Sequence, residues 1–163
     1  NRDLDDPTVI PDIVDRKIIP GNIGLSKSEL RLRIKKIYNK YHHEIDQTIK
    51  NKKVKVILSL HSFNPIFKNK RRTLEFGILS NEDKNLSSII INQLKLQKLN
   101  VGDNKPYSGN LIGDSMYRHG LRNKLPHALI EVRNDLLSNP TKIKRVSRLL
   151  HKTIVKSLKK LAS

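Results

Sequence analysis

Short apolar, β-branched segments alternate along this chain with segments whose apolar residues recur every three or four positions. The strand candidates are Val54 to Leu60, Thr73 to Leu79, Leu99 to Val101 and Ala128 to Val132. The helical periodicity runs from Ser26 to Lys50, over residues 82–98, and from Asn139 towards the end of the chain. This alternation predicts an α/β domain in which helices flank a mixed, mostly parallel sheet.

The expected helices carry start signals of different kinds. Ser26 and Glu29 have the spacing of a capping box, in which each side chain binds the backbone N–H of the other residue. Asn139 followed by Pro140 is typical of a helix start, because a proline at the first helical position has no N–H to leave unsatisfied. We expect Ser80 or Asn81 to cap the middle helix.

Composition limits the function classes. A chain of 163 residues suits one domain, here residues 1–163. It has no cysteine, which excludes thiolate zinc sites and cysteine nucleophiles. No apolar run has the length of a membrane span, and there is no signal-peptide pattern, so we expect a soluble, cytoplasmic protein without a membrane partner.

Thirty-three basic residues against 15 acidic ones give a formal net charge of +18. A nucleic-acid-associated binding module is therefore one possible function. Residues 139–163 hold eight lysines and arginines and no acid. However, few aromatic residues lie among the cations, and base stacking needs them. We therefore favour a solvated basic surface as the explanation of the charge.

Polar residues follow the predicted strands, where ligands of α/β sheets bind. They are His61 with Ser62, the Gly-rich segment 102–126, and Glu131 with Arg133. Glu131 lies inside an apolar strand, where an ionised carboxylate needs a pair, a metal or a catalytic role. An ion pair with Arg133 or Arg118 and a role in proton transfer are both open at this point.

His61 could be a metal ligand, a general base or a structural histidine. Tyr107, Ser108 and His119 lie in the Gly-rich segment and could contact a substrate, whereas we interpret His42 and His43 as surface residues of the first helix.

An ordered set of short motifs resembles the N-formylglutamate amidohydrolase family. The matching pieces are Asn1-Arg2, Ile19-Pro20-Gly21-Asn22, Tyr41-His42, Leu60-His61-Ser62-Phe63, Val101-Gly102-Asp103-Asn104, Pro106-Tyr107-Ser108-Gly109, His119-Gly120 and Ile130-Glu131-Val132-Arg133. They follow the family's order from residue 1 to about residue 137.

The resemblance implies a zinc carboxypeptidase-like (phosphorylase/hydrolase-like) fold and zinc-dependent hydrolysis of the amide bond of an N-acylated amino acid, as in histidine degradation. It implies that His61 is a Zn²⁺ ligand and that Glu131 is the catalytic glutamate. It places Asn1 and Arg2 at a position that grips the substrate carboxylate, with Tyr107, Ser108, His119 and Arg133 as further substrate contacts.

Members of that family have a further N-terminal stretch with the other metal ligands. We therefore expect this chain to be the C-terminal two-thirds of the family domain, completed by a separate N-terminal piece or else surviving as an inactive fold remnant. The segment Arg72-Thr73-Leu74-Glu75 also departs from the family's aromatic-plus-histidine pattern.

Overall fold

A computed structural model describes residues 2–14 and 16–163. The strands are β1 (Ile13–Val14), β2 (Lys17–Ile18), β3 (Ile57–Phe63), β4 (Ile66–Phe67), β5 (Lys70–Arg71), β6 (Phe76–Leu79), β7 (Val101–Asp103) and β8 (His127–Arg133). The helices are α1 (Lys27–Arg33), α2 (Asn39–Asn51), α3 (Asn85–Lys95) and α4 (Pro140–Leu161).

The first helical region is continuous but changes its pitch. The predicted capping box starts α1: Ser26 Oγ accepts from the Glu29 N–H at 3.3 Å, and Glu29 accepts from the Ser26 N–H at 2.8 Å. A wide, π-type turn over Ile34–Tyr38 then joins α1 to α2. This turn carries Tyr38, whose hydroxyl donates to the backbone oxygen of Arg2 at 2.8 Å.

Four strands form the main sheet, in the order β3-β8-β6-β7. β3 runs parallel to β8, and β6 runs parallel to β7, but β8 and β6 are antiparallel. The predicted mixed α/β architecture is confirmed. Among the described residues β3 pairs only with β8, so its outer edge is free.

One face of the sheet packs on α3 and α4. Ile78, Ala128 and Ile130 have no exposed surface, and they belong to one core cluster with Leu86 and Ile90 of α3. α4 adds Val146 and Leu150 to this cluster. Because strand side chains alternate between faces, the opposite face is left to the other residues of β3, β6 and β8.

The helix starts differ in how well the sequence predicted them. Asn139 Oδ1 accepts from the Lys142 N–H at 2.9 Å, and Pro140 occupies the first turn of α4, as expected. The expected cap of α3 was wrong: α3 begins at Asn85, after Lys84, without a side-chain cap. Ser80 and Asn81 are buried instead, because β6 leads them towards the uncovered face of the sheet.

The ladders of β3 and β6 begin three residues later than the hydrophobic pattern suggested. The β3 ladder begins at Ile57, opposite His127, and β6 begins at Phe76, opposite Val132. Val56, which precedes the β3 ladder, still packs against the core, so its apolar character reflects burial rather than pairing. No helix in the described residues is both long enough and apolar enough to cross a membrane.

Substitutions at Ile130 of β8 and at Leu60, its register partner on β3, should differ sharply in their effect on the free energy of unfolding. Ile130 is 0% exposed, whereas Leu60, its partner on β3, is 63% exposed. We expect Ile130→Ala to lower the free energy of unfolding by about 2–5 kcal/mol, because it leaves a cavity. Leu60→Ala, the matched control, should change it by less than about 0.5 kcal/mol. Urea unfolding measures both, and equal losses would contradict this packing.

Candidate functional site

A cleft of about 480 Å³ lies on the face of the sheet that α3 and α4 do not cover. Its lining includes Arg2, Ser59, His61, Ser80, Tyr107, Ser108, Asp114, Leu129 and Glu131. These residues come from the N-terminal segment, from β3 and β8, from the residue that follows β6, and from the segment after β7. The cleft therefore brings together parts of the chain that are far apart in sequence.

His61 and Glu131 are direct neighbours in this cleft. They are register partners in the parallel pair β3–β8. Adjacent strands lie about 4.8 Å apart, and register partners project to the same face of a sheet. The structure thus places the imidazole and the carboxylate side by side, within one cavity.

Gly77 lies beside Glu131 on the neighbouring strand β6, and its lack of a side chain lets the segment around Lys105 pack closely there. It is the partner of Glu131 on β6, and a Cβ atom there would lie 2.2 Å from the Lys105 carbonyl oxygen. The backbone that carries Tyr107 and Ser108 therefore packs directly on the sheet beside Glu131. Glycine at this position is required for closing the wall of the cleft.

Glu131 is buried without a partner for one of its oxygens. The residue is 6% exposed, and within the described chain Oε2 has no hydrogen bond. Burial raises the pKa of Glu131, while the positive charge of Arg72 opposes that rise. A buried carboxylate oxygen without a donor is costly, so this atom is available for a ligand.

The alternative of a structural ion pair for Glu131 does not hold. Arg133 Nε donates to Asp135 Oδ1 at 2.7 Å, and its Nη1 donates to the carbonyl oxygens of residues 72–74. Arg118 instead lies 3.5 Å from Asp3. Both arginines that the sequence offered as partners are engaged elsewhere.

His61 faces the cleft with its ring accessible. Partial desolvation lowers the pKa of His61, so the imidazole is neutral at physiological pH. A neutral imidazole is the form that binds a metal or accepts a proton.

Asp114 is a cleft residue that the sequence analysis did not single out. It is buried, and its carboxylate accepts from the Tyr117 N–H at 2.7 Å. Burial raises the pKa of Asp114, although the backbone donors partly oppose this. An Asp directly before a helical turn is a cap signal, but the Gly-rich surroundings conceal it.

Three of the predicted substrate contacts line the cleft: Arg2, Tyr107 and Ser108. Arg2 is held there through its backbone by Tyr38, and its side chain lies 3.9 Å from Asp6, a long ion pair. Asn1 lies outside the described residues.

His119 and Arg133, also predicted as substrate contacts, do not line the cleft. His119 is buried at the side of α2, where Nε2 lies 2.7 Å from His42 Nδ1 and Nδ1 lies 3.0 Å from Asp46 Oδ1. Arg133 is retained by Asp135 and the backbone. His119 thus links its segment to α2, and Arg133 links β8 to the backbone of residues 72–74. The sequence alone does not show either contact.

The interpretation of His42 as a surface residue was wrong. His42 is 6% exposed, and its ring packs edge-on against Tyr38 and Tyr41, with centroid distances of 4.4 and 5.0 Å. Burial is the main cause that lowers the pKa of His42 to about 4. His43, the next residue, is exposed.

The described residues do not complete a metal site by themselves. They contain no group of three or more His, Cys, Asp or Glu side chains that could hold an ion. A catalytic zinc site uses about three protein ligands. His61 supplies suitable chemistry for one ligand, beside the unpartnered oxygen of Glu131.

Comparison with known proteins points to one family. A family model described as N-formylglutamate amidohydrolase matches residues 1–138. The solved structure of the gene product Atu2144 from Agrobacterium tumefaciens is 26% identical in sequence and has a TM-score of 0.91. The match covers 99% of this chain and 66% of the Atu2144 chain. The solved structure of the N-formylglutamate amidohydrolase from Ralstonia eutropha JMP134 is 19% identical and has a TM-score of 0.58. That match covers 89% of this chain and 56% of the Ralstonia chain. No curated protein matches the sequence.

Burial of neutral His42 should make the fold sensitive to mild acid. Its pKa falls from 6.5 to about 4 on folding, so the unfolded chain binds the proton more readily. Stability due to this group is present above about pH 6.5 and is lost as the pH falls towards 4. We expect His42→Phe to reduce the loss of unfolding free energy between pH 7 and about pH 5.

Urea unfolding at both pH values measures this difference, and His43→Phe serves as the control because that residue is exposed. An unchanged pH dependence in His42→Phe would show that His42 titrates normally in the fold.

Proposed function

Because the chain belongs to the N-formylglutamate amidohydrolase family, we propose that it forms part of a hydrolase for the amide bond of an N-acylated amino acid. The observation that carries this proposal is the pairing of His61 with Glu131 in one cleft, where a buried oxygen of Glu131 has no partner among the described residues. The chain spans 66% and 56% of the two relatives' lengths, so the activity is proposed for the assembly that contains it.

Glu131 is suited to move a proton during amide hydrolysis. In the proposed reaction it accepts a proton from the attacking water and returns it to the nitrogen of the leaving amine. Burial brings its pKa closer to the working pH, which favours both directions of the transfer. The nearby charge of Arg72 opposes this rise in the pKa of Glu131 and so favours the ionised form, which the first transfer requires.

Arg2 is suited to bind the carboxylate of the amino-acid half of the substrate. A guanidinium binds a carboxylate with two parallel hydrogen bonds. Asp6 lies at 3.9 Å and is a weak competitor for these donors. Tyr107 and Ser108 line the same cleft and offer hydroxyl groups to the polar atoms of the substrate.

We propose that His61 is one ligand of a zinc ion in the complete enzyme. When bound, zinc polarises the amide carbonyl and lowers the pKa of a coordinated water. His61 is the ligand that this proposal assigns, and the described residues hold no group of three or more ligating side chains.

Within the described residues the outer edge of β3 is unpaired, so it offers a place for a further strand. A groove of about 720 Å³ runs between α2 and β3, with Ile37, Ile45, Val56 and Leu58 in its lining. The unpaired backbone groups of an edge strand readily bind a further strand. A strand added here would extend the sheet next to His61, where metal ligands are needed.

A second candidate function, nucleic-acid association, is favoured by α4 alone. Five of its cations recur at steps of three and four residues, and therefore lie on one face: Arg145, Arg148, Lys152, Lys156 and Lys159. They are exposed, and α4 contains no acidic residue. Like charges at this spacing repel each other, whereas a phosphate backbone would neutralise them.

Replacing the catalytic carboxylate tests the hydrolase proposal. We expect Glu131→Gln to lower kcat for N-formyl-L-glutamate by about 10²-fold or more, because the amide cannot move the proton. Formate release by the zinc-loaded, full-length protein measures this. Glu82→Gln is the matched control, because Glu82 is exposed and outside the cleft. Full activity in Glu131→Gln, or no zinc-dependent hydrolysis by the wild type, would refute the proposal.

Salt dependence tests the second candidate. If α4 binds phosphates, duplex DNA affinity should fall steeply as salt rises, and Arg148→Gln with Lys152→Gln should reduce the slope by about 2. Lys52→Gln with Lys53→Gln is the control, because it removes equal charge elsewhere. If both pairs of substitutions change the slope equally, the general charge of the chain, and not a site on α4, accounts for DNA binding.

A further inference from the structure

Arg2 lines the cleft from a segment without regular secondary structure. Residues 2–12 contain neither a helix nor a strand, so no ladder of backbone hydrogen bonds fixes their position. His61 and Glu131, in contrast, lie on paired strands of the main sheet. The position of Arg2 in the lining must therefore be set by its contacts with other parts of the chain.

Two contacts fix the backbone at Arg2 and at the residue after it. The Tyr38 hydroxyl, at the end of the π-type turn, donates to the backbone oxygen of Arg2 at 2.8 Å. Asp3, the next residue, forms an ion pair with Arg118, in which Oδ2 lies 3.5 Å from Nη2. The segment is thus tied to the first helical region on one side and to the Gly-rich segment on the other.

Arg118 connects these two contacts. Its guanidinium carbon lies 5.5 Å from the centroid of the Tyr38 ring. Its Nε donates to the Gly113 carbonyl oxygen at 2.7 Å, while Nη2 faces Asp3. One guanidinium therefore contacts both the ring that holds Arg2 and the carboxylate that follows Arg2. Three simultaneous contacts restrict a side chain that is otherwise flexible, and a planar guanidinium can make them together.

Gly113 is the surface on which Asp3 lies. Its φ is +80°, a conformation that glycine adopts far more readily than other residues. A Cβ atom on Gly113 would collide with the Asp3 carboxylate. The Asp3 side chain therefore rests on the Gly113 backbone, directly before Asp114, which lines the cleft.

We infer that Arg118 is a positioning residue, which holds Arg2 where it can bind the carboxylate of the substrate. The group that does this, which we call the Arg2 anchor, consists of Asp3, Tyr38, Gly113 and Arg118. The inference rests on the proposed function, which assigns that carboxylate to Arg2, and it adds residues that touch no substrate. Because a displacement of about 1 Å in a binding group can cost about 10²-fold in rate, the anchor matters for substrate binding.

Equilibrium binding tests the anchor without requiring turnover. The probes are N-acetyl-L-alanine and N-acetyl-L-alaninamide, which differ only in the carboxylate, titrated by calorimetry with the full-length protein. We expect the wild type to bind the acid about 10-fold more tightly than the amide, because charge strengthens the hydrogen bonds to Arg2. Arg118→Gln should reduce this ratio to about 3-fold or less by weakening the binding of the acid alone.

Arg122→Gln is the matched control. Arg122 also lies over a tyrosine ring, with its guanidinium carbon 5.9 Å from the Tyr117 centroid, but it does not line the cleft. The substitution removes the same charge from the same segment. It should leave the ratio of the two affinities at its wild-type value.

A double variant separates positioning from general damage to the fold. In an Arg2→Gln background, Arg118→Gln should leave the ratio unchanged, because no guanidinium remains to be positioned. A residue that merely stabilised the fold would weaken the binding of both probes in either background.

Two further variants keep the test decisive if Arg118→Gln does not fold. Asp3→Asn removes the ion pair with little change in shape, and it alters a side chain that is 36% exposed. Gly113→Ala keeps every charge but blocks the surface on which Asp3 lies. Both should reduce the ratio in the same way as Arg118→Gln.

The inference is overturned if the wild type does not prefer the acid, if the anchor variants keep the full preference, or if they weaken both probes equally. A preference that depends on Arg118 through Arg2, without hydrolysis of any N-acyl amino acid by the zinc-loaded protein, would refute the proposed function and leave the anchor standing. Hydrolysis, with a ratio that the anchor variants do not change, would do the reverse.

Discussion

The pairing of β3 with β8 is the constraint on which the candidate site depends. Its register places His61 directly opposite Glu131, and a shift by one residue would send the two side chains to opposite faces. The register is held from the other side of the sheet, where Ile130 and Ala128 are fully buried under α3 and α4. The hydrophobic core therefore determines the chemistry of the cleft, although it contributes no atom to it.

The cleft is closed by segments with little regular structure. The N-terminal segment is tied down by the bond from Tyr38 to the Arg2 carbonyl oxygen and by the ion pair of Asp3 with Arg118. The opposite wall packs on Gly77, which has no side chain to prevent it. These contacts bring charged and hydroxyl groups to a sheet face whose own residues supply the imidazole and the carboxylate.

The electrostatic arrangement of the cleft is unusual in one respect. Most arginines near it are neutralised by aspartates, whereas Arg72 is held by aromatic rings and has no carboxylate partner among the described residues. In the same region, one oxygen of Glu131 has no hydrogen-bond partner in the part of the chain that the structure describes. The cleft region therefore has, within the described chain, an arginine without a carboxylate partner and a carboxylate oxygen without a hydrogen-bond donor. That is the condition expected where a polar ligand completes the network.

Local signals in the sequence determined much of this protein. Capping by Ser26 and by Asn139 depends on residues three positions apart, and the alternation of helices with apolar strands defined the mixed α/β class. Glu131 was conspicuous because a carboxylate interrupted an apolar strand. Only the tertiary structure decided that Arg133 and Arg118 form ion pairs with aspartates instead of with Glu131. It also decided that His42 is buried against His119, and that Arg72 contacts three aromatic rings. Caps and periodicity arise from neighbours in the chain, whereas ion-pair choice, burial and desolvation arise from contacts between distant residues, which the fold alone brings together.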